Sequence, residues 1–278
     1  MAETDTYEIY ALKYGRHAER MRADNFLNPG PRMGGASPSA DDHSTPMPLD
    51  YFVWIVRNAN RTVLVDTGFS RAEASVRDRK LEHEPRDVLK HLGIDAEKIE
   101  QVVISHLHYD HAGTLDHFPA ARFHLQEAEM RYATGRCMCE ESMRKPFTVD
   151  HVCQMVRRVY SGRVQFHDGD GAVAPGITVH KAGGHSQGLQ AVRVKTANGY
   201  VVLASDATHF YENFEQRKPF SITVNLEETL RTYDRLQQLA SSPKQVVPGH
   251  DPLVLKRYPA WKPETQGIVH RLDVARLD

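Results

Sequence analysis

The chain has 278 residues, 40% of them hydrophobic and 26% charged, which is the composition of an ordinary globular protein. With 35 basic and 36 acidic residues, its net charge of −1 excludes bulk electrostatic attraction to nucleic acid or to an anionic membrane. No apolar run reaches the roughly 20 residues of a membrane span, and the start of the chain lacks a basic segment followed by an apolar one, so we predict a cytoplasmic protein without a membrane partner.

The first predicted element is a strand over residues 7–14, where apolar and polar side chains alternate. A loop rich in Pro, Gly, Ser and Asp follows over residues 28–48. Because a structureless loop of this length is uncommon inside a domain, it predicts a functional segment or a contact between two subunits of a homodimer. The alternative is a tolerated surface insertion.

Residues 51–57 and 61–65 predict a β-hairpin that ends at Asp66. A short helix is expected over residues 85–92, with Pro85 in its first turn and Gly93 at its exit. Asp95 is expected to cap the next turn, and the apolar run at residues 102–104 predicts a buried strand.

Directly after that strand, three histidines and a carboxylate occupy six residues: His106, His108, Asp110 and His111. These are ligands that first-row divalent metals prefer. In an extended backbone the side chains alternate, so His106, His108 and Asp110 would point to one side, and a turn at residues 112–113 could bring His111 to a second metal. The alternative, a polar strand end with solvated histidines, is disfavoured by the candidate ligands downstream.

The middle of the chain, residues 127–163, is predicted to be a helical cap over the site, and it follows a strand at residues 122–125. Seven basic and four acidic side chains between residues 128 and 164 make it locally positive. Flexible Met138 and Met155 could line a substrate pocket there, although methionine at helical spacing is also typical of core. Cys137, Cys139 and Cys153 do not suggest a disulfide framework.

The second half returns to strands, predicted over residues 164–166, 177–181, 189–195, 200–205 and 245–247. Residues 226–240 predict an amphipathic helix. His185, Asp206 and His250 stand near the ends of strands, so one edge of the sheets is expected to collect them with the earlier histidines. The tail, residues 259–278, either packs on the body or contacts a neighbouring subunit.

The motif at residues 106–111 resembles the His-x-His-x-Asp-His signature of the metallo-β-lactamase superfamily, and the segments around His185, Asp206 and His250 extend the resemblance along most of the chain. It implies an α/β fold, the four-layer αβ/βα sandwich. We therefore expect one domain over residues 1–278, with a core at about 7–258.

By residue-to-residue transfer, the resemblance implies one metal held by His106, His108 and His185. It implies a second metal held by Asp110, His111 and His250, with Asp206 bridging and Asp66 orienting the loop. Zinc is expected, with iron, manganese or cobalt as alternatives. The implied reaction is hydrolysis by a metal-bridging hydroxide, with Asp110 carrying a proton to the leaving oxygen.

Residues 206–214 resemble the N-acyl homoserine lactonases of this superfamily, the quorum-quenching lactonases. The lactonase tyrosine that assists at the carbonyl is His209 here, and an imidazole N–H could replace it as a donor. The alternatives are a surface histidine and a different lactone, for which the Arg-rich middle segment suggests a smaller or carboxylated ring. Phe210 and Tyr211 are expected to contact a small lactone. The rival functions are a glyoxalase II-like thioesterase, or another metallo-hydrolase of esters, and a catalytically silent metal-binding module.

Overall fold

The computed structural model describes residues 5–28 and 39–278. The strands in this part of the chain are β1 (Glu8–His17), β2 (Leu49–Arg57), β3 (Thr62–Val65), β4 (Lys80–Leu81), β5 (Gln101–Val103), β6 (Arg122–Gln126), β7 (Val164–His167), β8 (Gly171–Ala174), β9 (Ile177–Lys181), β10 (Gln190–Thr196), β11 (Gly199–Ser205), β12 (Val246–Pro248) and β13 (Val269–Arg271). The α-helices are α1 (Arg22–Asn25), α2 (Ala40–Ser44), α3 (Arg71–Val76), α4 (Pro85–Val88), α5 (Glu127–Ala133), α6 (Glu141–Arg144), α7 (Val149–Tyr160), α8 (Tyr211–Glu215), α9 (Leu226–Leu239) and α10 (Val254–Arg257). Short 3-10 helices cover Leu89–Leu92, Ala96–Lys98, Leu115–His117, Arg136–Cys139, Pro243–Gln245 and Pro263–Thr265.

Within the described residues, the strands form two sheets. The first has the order β13-β1-β2-β3-β5-β6-β7, with β4 also paired to β1, and the second has the order β12-β11-β10-β9-β8. Strands β3, β5, β6 and β7 run parallel to one another, and β11 runs parallel to β12. Parallel strands end at the same edge of a sheet, so the loops after β5, β11 and β12 can meet.

The first sheet is buried on both faces, and the alternation in its strands shows why. In β1, Ile9 packs in a core cluster that contains residues of both sheets, whereas Tyr10 and Leu12 pack in a second cluster with helix residues such as Val88 and Met155. Successive side chains of a strand point to opposite faces, so one strand serves both layers. Each fully buried Val, Leu or Ile contributes on the order of 1.5–3 kcal/mol relative to an exposed side chain.

Helix α9 covers the second sheet and supplies the fourth layer. It begins where the Asn225 side chain accepts a hydrogen bond from the Glu228 backbone N at 3.1 Å. Tyr233 and Leu236, three residues apart on one face, are fully buried and belong to the core cluster that contains residues of both sheets. The predicted αβ/βα sandwich is therefore confirmed.

Sequence and structure differ mainly at short elements. The first strand continues to His17, and the sequence did not indicate β8, β13, α3 or α8. Strand β13 lies in the tail and pairs with β1 (Tyr10 opposite Arg271), so this part of the tail packs on the body of the protein. A three-residue edge strand is too short to show alternation.

The segment predicted to form a dimer contact lies partly outside the described residues, which omit 29–38. Its described end contains α2, which begins at a Ser39 cap. The dimer stays a prediction. No helix in residues 5–28 and 39–278 is long and apolar enough to cross a membrane.

Candidate metal centre

The histidine-rich loop after β5 is built from turns. Strand β5 ends at Val103, and the backbone N–H groups of His111 and Ala112 both donate to the His108 carbonyl at 3.1 Å. The extended backbone that we expected here is therefore wrong, and the chain already turns at residues 108–111. This turn separates His108 from Asp110 and His111 instead of placing them along one strand face.

The loop nevertheless gathers the predicted side chains with those of the second half. Four sets of three described side chains have ligand atoms within 4.8 Å of one another, and two of them are the predicted sets, His106, His108 and His185, and Asp110, His111 and His250. The other two both contain Asp206, one with His106 and His111 and one with His185 and His209. Asp206 lies between the sets: its Oδ1 is 2.8 Å from His250 Nε2 and 3.1 Å from His111 Nε2, and its Oδ2 is 3.3 Å from His185 Nε2. All seven side chains are buried.

Hydrogen bonds on the outer side of the cluster aim two of these imidazoles inward. His185 Nδ1 is 2.7 Å from the Ile222 carbonyl, and His250 Nδ1 is 3.0 Å from the Asp50 carbonyl. A carbonyl can only accept, so each Nδ1 carries the proton and each Nε2 presents a lone pair to the centre.

These residues fit a pair of cations. Nε2 of His106 is buried without a hydrogen-bond partner among the described residues. Burial, with the neighbouring imidazoles, holds the pKa of His106 and of His108 well below the usual range, so both stay neutral and able to coordinate. The Nε2 lone pair of His250 faces an Asp206 oxygen at 2.8 Å, and two acceptors at that distance need a proton or a cation between them.

The electrostatics of His111 point the same way. Burial alone would lower its pKa, but the carboxylates of Asp206, Asp110 and Asp66 hold the pKa of His111 well above its usual value. The centre therefore carries an excess of negative potential that favours bound positive charge.

Asp66 holds the histidine loop in place by hydrogen bonds to Ser105 and His111. Its carboxylate accepts from the Ser105 backbone N at 2.7 Å, from Ser105 Oγ at 2.8 Å and from His111 Nδ1 at 2.7 Å. Asp66 itself adopts a left-handed backbone conformation with φ 61°. The three bonds orient His111 with its Nε2 toward the centre, as the sequence-based role requires.

Glu129 is a supporting residue that the sequence did not single out. This fully buried carboxylate accepts from the Leu107 backbone N at 3.0 Å, from Ser186 Oγ at 2.5 Å and from the Gly188 backbone N at 3.0 Å. It therefore ties the loop of His106 and His108 to the loop of His185. Nothing local marks it, because glutamate in the first turn of a helix is ordinary.

His209 is buried beside the centre, so the alternative of a surface histidine is wrong. Its Nε2 lies 2.9 Å from Asp206 Oδ2, and its ring stacks on Phe220 with 3.4 Å between centroids. Burial lowers the pKa of His209 to about 3. Its Nδ1 has no hydrogen-bond partner within the described part of the chain.

A cavity of about 350 Å³ opens onto the centre. Its lining includes His108, Asp110, His185, Asp206, His209 and His250 from the centre, together with Ser142, Lys145 and Pro146 from the predicted cap. The helices expected over residues 127–163 are present, and α6 with the residues after it reaches the cavity.

The four predicted substrate contacts lie elsewhere, and none is among the described residues that line the cavity. Met155 is fully buried in the core beneath α7, and Met138 packs against the same core. Phe210 packs on Phe220, and Tyr211 is buried in the core cluster that contains residues of both sheets. The structure therefore packs these four apolar side chains against the core and does not bring them to the cavity.

Comparison with known proteins agrees with the geometry. The family model of the metallo-beta-lactamase superfamily matches residues 47–250. The N-acyl homoserine lactonase of Bacillus cereus is 29% identical over 221 residues, which cover 73% of this chain and 82% of that protein. The N-acyl homoserine lactonase AttM of Rhizobium johnstonii is 30% identical over 172 residues, 60% of this chain and 63% of that protein.

Solved structures share the fold. A quorum-quenching N-acyl homoserine lactone lactonase superposes with a TM-score of 0.70 at 24% identity, covering 89% of this chain and 94% of that one. AidC, a dizinc quorum-quenching lactonase in complex with a product, superposes with a TM-score of 0.66 at 15% identity, covering 89% of this chain and 88% of that one. On the family match and the shared fold, this chain belongs to the metallo-β-lactamase superfamily.

Proposed function

We propose that the protein is a dinuclear metal-dependent hydrolase that opens the ring of an N-acyl homoserine lactone or a related small lactone. The observation that carries the proposal is the buried set of five histidines and two aspartates at the end of a cavity of about 350 Å³. The similarity to N-acyl homoserine lactonases supports the choice of a lactone among the bonds that such a centre can hydrolyse.

In this proposal His106, His108 and His185 hold one divalent ion, Asp110, His111 and His250 hold the other, and Asp206 bridges them. Zinc suits the mixture of imidazole and carboxylate ligands, with iron, manganese or cobalt as alternatives according to supply. When bound, the ions supply a Lewis acid for the carbonyl oxygen and lower the pKa of water to about 7.

The chain's own side chains do the remaining work. Asp110 lines the cavity and lies 3.5 Å from His111 Nε2, where its carboxylate can carry a proton to the leaving alkoxide of the opened ring. His209 also lines the cavity, and its imidazole can donate to the lactone carbonyl. Leu49 and Phe220 cover the cavity wall beside it and exclude water from the reacting bond.

The Asp206→Asn variant tests the centre. An asparagine keeps the volume but removes the negative charge between the two sets of ligands, so we expect metal content and lactone turnover to fall together. Elemental analysis and a proton-release assay against homoserine lactones of graded chain length, other lactones, linear esters and thioesters measure both. A fully metallated and active variant would refute the bridge, and hydrolysis of thioesters alone would refute the lactonase.

The His209→Ala variant tests the carbonyl contact. We expect roughly 100-fold lower kcat on the best lactone, the usual loss when an oxyanion donor is removed, with metal content unchanged. His209→Gln retains an N–H donor and is expected to recover part of that loss. Unchanged kinetics in His209→Ala would remove this residue from the mechanism.

A further inference from the structure

One wall of the cavity is basic. Besides the metal-centre side chains, its lining contains Arg20, Arg77, Arg79, Lys145 and the imidazole of His17. Among the described lining residues, the carboxylates are Asp110 and Asp206, both of which belong to the metal centre. The wall therefore presents positive charge that the lining itself does not neutralise.

Three of these cations, Arg20, Arg79 and Lys145, have no carboxylate within ion-pair distance in residues 5–28 and 39–278, and Lys145 is exposed. Arg79 donates to the carbonyls of Arg77 and Asp78, to Tyr109 Oη and to His17. Arg20 donates to the side chains of Asn25 and Ser221 and to the Asp24 carbonyl. Arg77, by contrast, is paired with Glu73.

Both unpaired guanidinium groups are partly buried. Burial lowers the pKa of Arg20, and the nearby Asp24 carboxylate acts in the opposite direction. His17 lies beside both groups, and burial, with Arg79 and Arg20, lowers the pKa of His17 to about 4. At neutral pH the wall thus holds two guanidinium ions around an uncharged imidazole, whose buried Nδ1 has no partner in the described part of the chain.

Aromatic rings lie between these cations and the metal centre. The Arg20 guanidinium lies 5.2 Å from the Phe220 ring, which stacks on His209. Arg79 Nε donates a hydrogen bond to Tyr109 Oη at 3.2 Å, and Tyr109 Oη is hydrogen-bonded to Tyr51 Oη. The Tyr51 ring packs edge-on against the imidazole of His250. Because the metal-centre side chains and both guanidinium groups line the same cavity, a compact ring compound bound there can face both.

We propose that the substrate is an acidic lactone, whose ionised carboxylate is held by Arg20 and Arg79 while its ring carbonyl faces the metal centre. This inference rests on the proposed lactonase function and specifies its substrate class. A planar guanidinium matches a carboxylate with two parallel hydrogen bonds, and such charge-assisted bonds are the strong ones. A neutral acyl chain would instead leave both cations desolvated without a partner.

The test uses a matched pair of substrates: γ-butyrolactone bearing a carboxylate on its γ-carbon, and the corresponding primary amide. For the metal-loaded protein we expect kcat/KM for the acid to exceed that for the amide by roughly tenfold or more. Arg20→Gln and Arg79→Gln should each lower kcat/KM for the acid by roughly 10–100-fold, the range for a lost hydrogen bond to a charged group. Both should lower kcat/KM for the amide by a smaller factor than for the acid, so that the ratio of acid to amide falls toward one.

Arg231→Gln serves as the matched control, because Arg231 is exposed on α9 and outside the cavity lining. This substitution should change kcat/KM for neither the acid nor the amide. Equal rates for acid and amide would overturn the proposal, and so would an acid preference that survives both arginine substitutions, since the metals would then hold the carboxylate. A higher kcat/KM for N-hexanoyl homoserine lactone than for the acid would agree with the proposed lactonase function and would refute only the acidic substrate.

A binding measurement separates failure of this inference from failure of the proposed function. Titration calorimetry of the metal-loaded protein with cyclopentanecarboxylate needs no turnover. At least tenfold weaker binding to the Arg20→Gln/Arg79→Gln double variant, with metal content unchanged, supports the carboxylate site even if no lactone is opened. Equal affinity of wild type and double variant would overturn it.

Discussion

At the scale of single residues, the centre depends on two buried carboxylates that do not face the cavity. Asp66 holds His111 and Ser105, and Ser205, opposite them, donates to Ser105 Oγ at 2.9 Å. Asp66 and Ser205 both have left-handed backbones, with φ 61° and 47°. Such conformations cost on the order of 1–3 kcal/mol each, and the shared hydrogen bonds offset that cost.

Glu129 shows how strongly one side chain can support the site. In Glu129→Gln, the new amide group must face one of the three donors that the carboxylate now satisfies, leaving a buried donor unpaired. We expect the free energy of unfolding to fall by about 2–4 kcal/mol, with lower metal content, because the loops of His108 and His185 lose their common anchor. Urea unfolding and elemental analysis measure both.

The control for this prediction is Glu127→Gln on the same helix. Glu127 is exposed and contacts only Arg131 among its described neighbours, so its replacement should change the free energy of unfolding by less than about 0.5 kcal/mol. Equal effects of the two substitutions would show that Glu129 has no special role.

At the scale of elements, the histidine loop is packed too closely to admit another carbon atom. Gly113 donates from its backbone N to the Gly68 carbonyl at 2.8 Å. A Cβ on Gly113 would lie 2.5 Å from the Tyr109 carbonyl and 2.7 Å from the Gly68 carbonyl. Both neighbours are backbone, so the turn that carries Asp110 and His111 would have to move.

Gly113→Ala is therefore expected to lower the free energy of unfolding by roughly 2–3 kcal/mol and to reduce metal occupancy. Gly162→Ala is the comparison, because a Cβ there meets nothing within 4 Å and the cost is only that of φ 70°, about 1 kcal/mol. Thermal unfolding and elemental analysis of the two variants separate crowding of the loop from backbone strain. A metal-replete Gly113→Ala as stable as Gly162→Ala would contradict the close packing.

At the scale of the whole molecule, the centre joins the two sheets. His106, His108, Asp110 and His111 follow β5 of the first sheet, whereas Asp206 and His250 follow β11 and β12 of the second. The site therefore exists only when both sheets are folded against one another. Bound metal stabilises that folded state by mass action, because the unfolded chain holds the same groups apart.

The folded molecule should also lose stability in acid through His124, which lies opposite Val103 on the strand beside β5 and is not a predicted metal ligand. His124 on β6 bonds His167 at 2.9 Å and Gln101 at 2.7 Å, and burial, with His167 and Arg122, lowers the pKa of His124 to about 4. The unfolded value is about 6.5. Between these values the unfolded chain binds more protons, so the contribution of His124 to stability is present at neutral pH and is lost as the pH falls toward 4.

Between about pH 7.5 and about pH 5, we expect the wild type to lose up to about 2 kcal/mol more free energy of unfolding than His124→Gln. Urea unfolding of both metal-loaded proteins at the two pH values measures this difference. Titration of the metal ligands is common to both proteins and cancels. Equal losses would contradict the buried, neutral state of His124.

Local sequence patterns were sufficient to predict several strands, a helix and the metal centre of this protein. Alternation predicted β1, a hairpin pattern predicted β2 and β3, amphipathic spacing predicted α9, and the residue types at 106–111 indicated a metal centre, because such patterns and ligand chemistry are properties of a short segment. Only the tertiary structure decided that Met155 fills the core, that Glu129 ties two ligand loops together, and that Arg20 and Arg79 share a cavity wall with His209. Those contacts join residues far apart in the chain, and their partners depend on sheet register and on loop paths that no local period encodes.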